Sequence, residues 1–540
     1  MHTPTRRTLL GATIAAAGSG ILAACSEPGT HPKPGTHPGT SNHNGTNFIP
    51  HGPKGYINPS DPEVIAAEKA RGTGPLRTFA LTATETTLDL GGHTIKTWAY
   101  GDTLPGKELR LTAGDTLNLT LANHLPAPTT LHSHGIRMRC DMDGVPGLTQ
   151  HSIKPGADFT YRFHITHPGT YWIHSHFGMQ LDRGLYAPLI IEDPKEPLTY
   201  DKEWTIILDD WVDGIDTSTP DDVLAQLQNG KHTPMNMDMG ENTDPHNPNH
   251  KTHPKTHKPT GPNRILHAPN SPLLHSPGGH VNYPHYLING RLPHAPTTYH
   301  ARPGDRIRLR IINAGADTAF RLALGDHEMT ITHTDGYPVH HTKTDALLIG
   351  MAERYDVLIT AKDGVFPLTA LAEGKNAKAL AILRTNTSKN LPTPTTHPKE
   401  LNRRTIPARR LTPHESVALP HHHPDREIRI RLNGSMKKFD WSFDHRPYTT
   451  TQRHPIHQGE RIRLTLINAT SMWHPLHLHG HTFALTGINS TGARKDTALV
   501  LPHHKLVIDF DADNPGLWML HCHNQYHSET GMMTILGYRK

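Results

Sequence analysis

The sequence predicts an all-β chain built from three copies of a small β-sandwich, on two observations. Three segments align without gaps: "GDTLNLTLAN" at 114–123, "GDRIRLRIIN" at 304–313 and "GERIRLTLIN" at 459–468. Each opens on Gly and an acid, alternates apolar with polar residues, and closes on Asn. A period of two marks a half-buried strand, with Leu117, Leu119 and Leu121 on one face. Around these segments lie more short β-rich runs broken by Gly and Pro, including "LDLGGHTIKTWAY", "ADFTYRFHI", "ERYDVLITA" and "HKLVIDFDA", while long amphipathic helices are scarce. Each copy then takes about 130–200 residues.

Ahead of the first copy come an address and a tether. Residues 1–25 hold the pair Arg6-Arg7, an apolar stretch and small residues, which reads as an export signal of the Tat type. "LAAC" (22–25) resembles a bacterial lipoprotein box. Lipidation of Cys25 would hold the protein on the extracytoplasmic face of the cell membrane without spanning it; the alternative is a plain secretory signal with an incidental Cys. Residues 26–60, with "PGTHPKPGTHPGTSNHNGT", cannot bury a core and form a disordered tether whose His31, His37 and His43 are solvated. "SDPEVIAAEKA" then predicts a short helix capped by Ser60 or Asp61, with Pro62 in its first turn. The first domain is assigned to 61–197, the second to 198–398 and the third to 399–540.

Composition narrows the function. The net charge of +5 comes without a Lys/Arg stripe interleaved with aromatics, so no nucleic-acid partner is expected. Three distant cysteines, Cys25, Cys140 and Cys522, make no disulfide framework. Histidine is the outlier at 46 of 540. At that frequency about four His-x-His pairs arise by chance, so only their positions are informative.

Counting onward from the Asn of each repeat gives those positions. Copy one carries His132 and His134 nine and eleven residues on, and copy three carries His477 and His479 at the same two places. Copy two has Leu322 and Leu324 there. Likewise "PGTYWIHSH" (168–176) matches "PGLWMLHCH" (515–523), aligning His174 and His176 with His521 and His523, and Ser175 with Cys522. His421 and His423 lie outside any repeat and read as a loop.

Along a strand, i and i+2 share a face while i+1 points away. An extended "HCH" therefore turns His521 and His523 to one side and Cys522 to the other, serving two metal sites joined by a few covalent bonds. A thiolate, two imidazoles and a weak axial Met form an electron-transfer copper site. Cys522, His527 and Met532 supply three of these ligands, and His474, of opposite parity to His477 and His479, supplies the second imidazole. The eight remaining histidines (His132, His134, His174, His176, His477, His479, His521 and His523) would suit three coppers between copies one and three.

With "HSHG" (132–135), "HSH" (174–176), "HPLHLH" (474–479) and "HCHNQYHSETGM" (521–532), the chain resembles the multicopper oxidase family, in the three-domain cupredoxin arrangement of laccases and bacterial copper-efflux oxidases. The resemblance implies three cupredoxin-like Greek-key sandwiches and four copper ions. Type 1 would use His474, Cys522, His527 and Met532. Type 2 would use His132 and His477. The type 3 pair would use His134, His174, His176, His479, His521 and His523. It implies four one-electron oxidations feeding the reduction of O₂ to two waters. It also makes Asp143, in "CDMDGVPG", the counterpart of a cluster-side acid that supplies protons. Relatives often place Glu directly after the type 1 His; here that position is Ser528, and the acid is Glu529, one residue later. Ser133 replaces the usual aromatic between the first two histidines.

The reductant is read from the insert at about 230–280. "TPMNMDMG" places Met235, Met237 and Met239 at alternate positions between Pro234 and Gly240, and soft thioethers select Cu(I). The expectation is a cuprous oxidase acting in copper detoxification. Alternatives are a laccase for phenols or aromatic amines, an Fe(II) oxidase, or a copper-sequestering lipoprotein without turnover.

Overall fold

The computed structural model describes residues 53–228, 261–267, 269–387, 390–486 and 491–540. The export signal, Cys25, the tether to residue 52 and Met235, Met237 and Met239 lie outside them. Residues 53–60, expected to belong to the disordered tether, pack instead: Tyr56 and Ile57 are buried in the core, and Ile57 N–H donates to the Tyr538 carbonyl at 2.8 Å. Among the described residues no helix is long and apolar enough to cross a membrane.

Each repeat segment becomes the same strand of its own sheet. Thr116–Asn123 pairs in parallel with Leu76–Asp89 and antiparallel with Asp158–His164. Arg306–Asn313 stands likewise between Lys202–Trp211 and Arg354–Thr360, and Arg461–Asn468 between Arg426–Asn433 and Lys505–Asp511. A second sheet completes each sandwich. In the first it runs Leu109–Thr112, Tyr186–Glu192, Gly169–His174, His132–His134. In the third it runs Arg453–Ile456, Met533–Tyr538, Leu517–Cys522, His474–Leu478, Thr497–Val500. In the middle copy, Phe320–Leu324 takes the place of the histidine strands. Its Leu322 and Leu324 are buried core residues, so the address that holds imidazoles elsewhere is filled with hydrocarbon.

The repeat motif has a physical reason at both ends. Gly114, Gly304 and Gly459 have φ of 98°, 91° and 88°, left-handed values that glycine adopts without a Cβ penalty. The acid that follows closes the turn. Asp115, Asp305 and Glu460 each accept from the backbone N–H three residues earlier, at 2.8, 2.9 and 2.8 Å. At the far end, the buried Asn amide clamps the loop that leaves the strand. Asn123 donates to the carbonyls of Ala127 and Ile153, Asn313 to those of Thr318 and Ile349, and Asn468 to those of Met472 and Val500. Each Asn carbonyl in turn accepts from the backbone N–H two residues on.

The alternation holds in copies one and three, but the middle strand is buried on both faces. Arg308 and Arg310, expected to face water, are each 1% exposed. Both pair with Asp356, and Arg310 also donates to Thr170 of the first sandwich at 3.0 Å. Packing of a neighbouring sandwich overrides the period-two pattern here, and the buried charges are tolerated because they are paired.

The predicted short helix is Pro62–Arg71 with Asp61 at its N-cap. The Asp61 carboxylate turns back to Asn58 and to Lys540 near the opposite terminus.

Replacing a clamping Asn with Ala strands buried carbonyls, at about 1–3 kcal/mol. Asn313→Ala should lower unfolding stability in chemical denaturation by that order and loosen the loop that carries Asp317. Asn468→Ala should cost as much and also loosen the loop leading to His474.

Candidate metal centres

Two paired strands of the third sandwich sort the ligands. Leu517–Cys522 runs antiparallel to His474–Leu478, with Leu476 opposite Cys522 and His477 opposite His521. Directly opposed residues share a sheet face. His477 and His521 therefore lie on one face, while Cys522 shares the other with Leu476 and, by parity, His474. In the first sandwich His132 stands opposite His174.

On the sulfur side, Cys522 Sγ lies 3.6 Å from His474 Nδ1 and 3.5 Å from His527 Nδ1, and the two nitrogens are 3.1 Å apart. All three side chains are fully buried. The outer nitrogens are capped: Thr470 Oγ1 lies 2.9 Å from His474 Nε2, and His280 Nε2 lies 2.5 Å from His527 Nε2. Met532 is buried and tied in by backbone bonds, its carbonyl accepting from Cys522 N–H and its N–H donating to the His527 carbonyl.

On the other side the eight histidines of the first and third sandwiches converge. His132 stacks on His479 (3.9 Å between centroids) and His134 on His477 (3.7 Å). Two aspartates hold these stacks in a reciprocal way. The Asp143 backbone carbonyl accepts from His132 Nδ1 at 2.7 Å, and its carboxylate accepts from His479 Nδ1 at 3.0 Å. The Asp496 carbonyl accepts from His477 Nδ1 at 2.9 Å, and its carboxylate accepts from His134 Nε2 at 3.0 Å. Each aspartate thus orients one ring of its own sandwich and one of the other. They differ in their backing. Asp496 is gripped in a bidentate pair by Arg354 at 2.7 and 2.6 Å, wholly buried, whereas Asp143 has no Lys or Arg partner among the described residues.

These anchors fix the tautomers. His174 and His521 donate likewise from Nδ1 to the carbonyls of Ser175 and Cys522; with one nitrogen donating, the other keeps a lone pair, and those nitrogens are buried without a partner: Nε2 of His132, His174, His477, His479 and His521, and Nδ1 of His134. His176 Nε2 and both His523 nitrogens are likewise unpaired. Buried polar atoms are seldom left unsatisfied, and so many aimed together fit a metal cluster. Within the cluster, ligand nitrogens approach within 4.8 Å in the sets His132/His477/His479, His132/His134/His174 and His176/His479/His521. Burial and neighbouring rings hold His174, His479, His521 and His523 well below the ordinary imidazole range and His176 at about 3, so the rings are neutral. Burial pushes the Cys522 thiol up, so the thiolate needs a cation beside it. Burial alone would raise Asp496, but Arg354 and His134 carry it well below the carboxylate range.

Glu529 ends the helix Gln525–Glu529, and among the described residues it makes no hydrogen bond to a cluster ring. Burial and Asp221 raise it to about 7. Ser528 Oγ instead lies 3.4 Å from His521 Nδ1. Cys140 and Cys522 are both free thiols. Cys140 packs where a Cβ on Gly516 would come within 2.5 Å of its own, and its sulfur exchanges hydrogen bonds with the Leu517 backbone. His421 and His423 are exposed in a loop. Asp496, Arg354, Thr470 and His280 are site residues that sequence reading missed. Thr470 reaches His474 from four residues away within the third sandwich, while Arg354 and His280 come from the middle copy and Asp496 meets His134 across the packing between sandwiches.

Family models described as multicopper oxidase match residues 82–196, 202–388 and 421–539. Multicopper oxidase MmcO of Mycobacterium tuberculosis is 48% identical over 477 residues, covering 88% of this chain and 90% of that protein. A copper resistance protein A homolog of Pseudomonas syringae pv. tomato is 28% identical, covering 88% and 93%. Among solved structures, laccase from Botrytis aclada superposes with a TM-score of 0.66 at 26% identity, covering 87% and 88%. Fet3p, a multicopper oxidase that functions in iron import, superposes at 0.68 with 23% identity, covering 86% and 90%, a likeness of fold.

The neutral rings predict a pH dependence. In metal-free protein His176 titrates at about 3 when folded, against 6.5 for a free ring. Below 6.5 the unfolded chain binds more protons than the folded one, so stability present above that pH is lost as it falls toward 3. The melting temperature of metal-stripped protein should drop as the pH is lowered through this window; a flat profile would contradict the burial of neutral imidazoles.

Proposed function

Because the chain belongs to the multicopper oxidase family, a copper-binding oxidoreductase acting on O₂ and a small reductant, we propose that its reductant is Cu(I) and its role copper detoxification. Four one-electron oxidations would match four electrons and four protons delivered to O₂, giving two waters. Bound copper would supply one-electron exchange at the sulfur site and O₂ reduction at the imidazole cluster.

The carrying observation is the strand that ends at Cys522, with the sulfur on one face and His521 on the other. We assign His474, Cys522, His527 and Met532 to type 1, and His132 and His477 to type 2. His176, His479 and His521 would form one type 3 position. His134, His174 and His523, with rings 5.1–5.7 Å apart, would form the other. The backbone between Cys522 and its neighbours joins the two sites covalently.

The two aspartates divide the remaining work. Asp496, locked to Arg354, keeps its charge and orients His134. Asp143, without such a partner, is free to hold and pass a proton at its carboxylate beside His479, as general-acid catalysis requires. Glu529 makes no hydrogen bond to a ring among the described residues, and Ser528 Oγ is the group beside His521.

Cu(I) is favoured over a phenol because neither His474 nor His527 exposes a ring edge, and because a relative carries a copper-resistance name. Met235, Met237 and Met239 are proposed to gather the ion. Export through Arg6-Arg7 and anchoring at Cys25 complete the reading; loss of membrane association in Cys25→Ala tests it.

Copper-loaded protein should show an intense visible thiolate-to-copper band and consume O₂ with Cu(I). Cys522→Ser should abolish the band and spare cluster copper. Asp143→Asn should slow O₂ consumption about 100-fold with copper retained, whereas Asp496→Asn should lose cluster copper. Deleting 235–239 should impair Cu(I) oxidation more than phenol oxidation. Equal losses would favour the laccase reading, and copper uptake without O₂ consumption a sequestering role.

A further inference from the structure

His280 belongs to no repeat, yet it meets His527 ring nitrogen to ring nitrogen at 2.5 Å, on the side away from Cys522. We infer that His280 is a positioning residue that accepts the outer N–H of His527, fixes that ring's tautomer and orientation, and lowers the potential of the sulfur site. The inference rests on the assignment of His474, Cys522 and His527 as a copper site.

The proton count sets the direction of the bond. His527 Nδ1 faces Cys522, so as a ligand it carries no proton there. The neutral ring then bears its proton on Nε2 and donates it, and His280 Nε2 accepts. The opposite arrangement would put a proton on His527 Nδ1 and remove the ligand. His280 therefore carries its own proton on Nδ1, which is buried and unpaired. A histidine kept only to fill space gains nothing from an unpaired buried N–H. Holding the neighbouring ring does account for it.

The surroundings show how the two rings are kept in register. Asp317 Oδ2 accepts from the backbone N–H of His280 and Val281 at 2.8 and 3.0 Å. Its other oxygen accepts from the Asn524 side-chain amide at 2.7 Å. Asn524 is the N-cap of the helix that carries His527 and accepts from the N–H of Tyr526 and His527. One carboxylate thus pins both partners, and Lys375 holds it at 2.7 Å. The close approach depends on Gly278 and Gly279, where a Cβ would come within 2.0 Å of the Glu373 carbonyl and 2.3 Å of Asp317. Trp441 lies over both rings, 5.6 Å from His280 and 4.2 Å from His527, and Phe439 is 5.4 Å from His280. An acceptor on the outer N–H of a ligating imidazole raises that ring's basicity, which favours the oxidised, more positive metal.

The test is the midpoint potential and EPR spectrum of the sulfur site in copper-loaded wild type and in H280L, H280N and H280Q, with copper content measured alongside. Leu has no acceptor and Asn is too short to reach; both should raise the potential and alter the EPR splitting with cluster copper unchanged. Gln, long enough to accept, should stay near wild type. If H280L fails to fold, the contrast between H280N and H280Q still decides. Fully loaded H280L or H280N with wild-type potential and spectrum would overturn the role of His280. A wild type without the thiolate band would instead overturn the copper assignment beneath it.

Discussion

Alternation along the strand Leu517–Cys522 is the constraint on which the rest of the molecule depends. It places a sulfur and an imidazole one residue apart on opposite faces of one sheet, and everything nearby is arranged to serve one face or the other. His474 and His477 divide the same way on the neighbouring strand. Only a hydrogen-bonded strand pair imposes this division rigidly, because a slip of one residue would exchange every side chain between the two faces. The clamped Asn468 loop and the close packing at Gly516 hold that register.

The imidazole cluster faces a different physical problem, that of holding eight rings together in a buried site in the right tautomers. The reciprocal use of Asp143 and Asp496 answers it across the interface between the first and third sandwiches. Each aspartate gives its carbonyl to a ring of its own sandwich and its carboxylate to a ring of the other, so His479 and His134 are held this way only when the two sandwiches are docked. Arg354, from the second sandwich, makes one of the two carboxylates a fixed charge. The middle copy, which carries no histidine at the shared addresses, thereby contributes charge compensation at one site and, through His280 and Asp317, a cap at the other. Breaking a buried pair such as Asp496–Arg354 typically costs about 3–5 kcal/mol, so these links are structural as well as chemical.

Much of this was legible in the sequence because it rests on local, periodic rules. Period-two alternation, a glycine turn and a closing Asn recur three times, and each has a local hydrogen-bonding reason. The parity of "HCH" and "HPLHLH" put Cys522 and His474 on one face and His521 and His477 on the other for the same reason: side-chain direction along a strand follows from backbone geometry alone. What sequence reading missed lies outside that rule. Arg308 and Arg310 broke the expected polar face because another sandwich covers it. At the end of the helix Gln525–Glu529, the residue that comes beside His521 is Ser528. Asp496, Arg354 and His280 become site residues through contacts between segments far apart in the chain, which no spacing encodes, whereas Thr470 reaches His474 from four residues away.

The sequence by itself determined the three β-sandwiches, the histidine addresses in the first and last, and the opposite facing of Cys522 and its neighbours, since these follow from strand geometry and repetition. Tertiary structure alone decided which of the two aspartates is paired with an arginine and which has no basic partner among the described residues, and which groups cap the outer nitrogens of His474 and His527. Those outcomes depend on burial and charge pairing between sandwiches, quantities that exist only once the chain has folded.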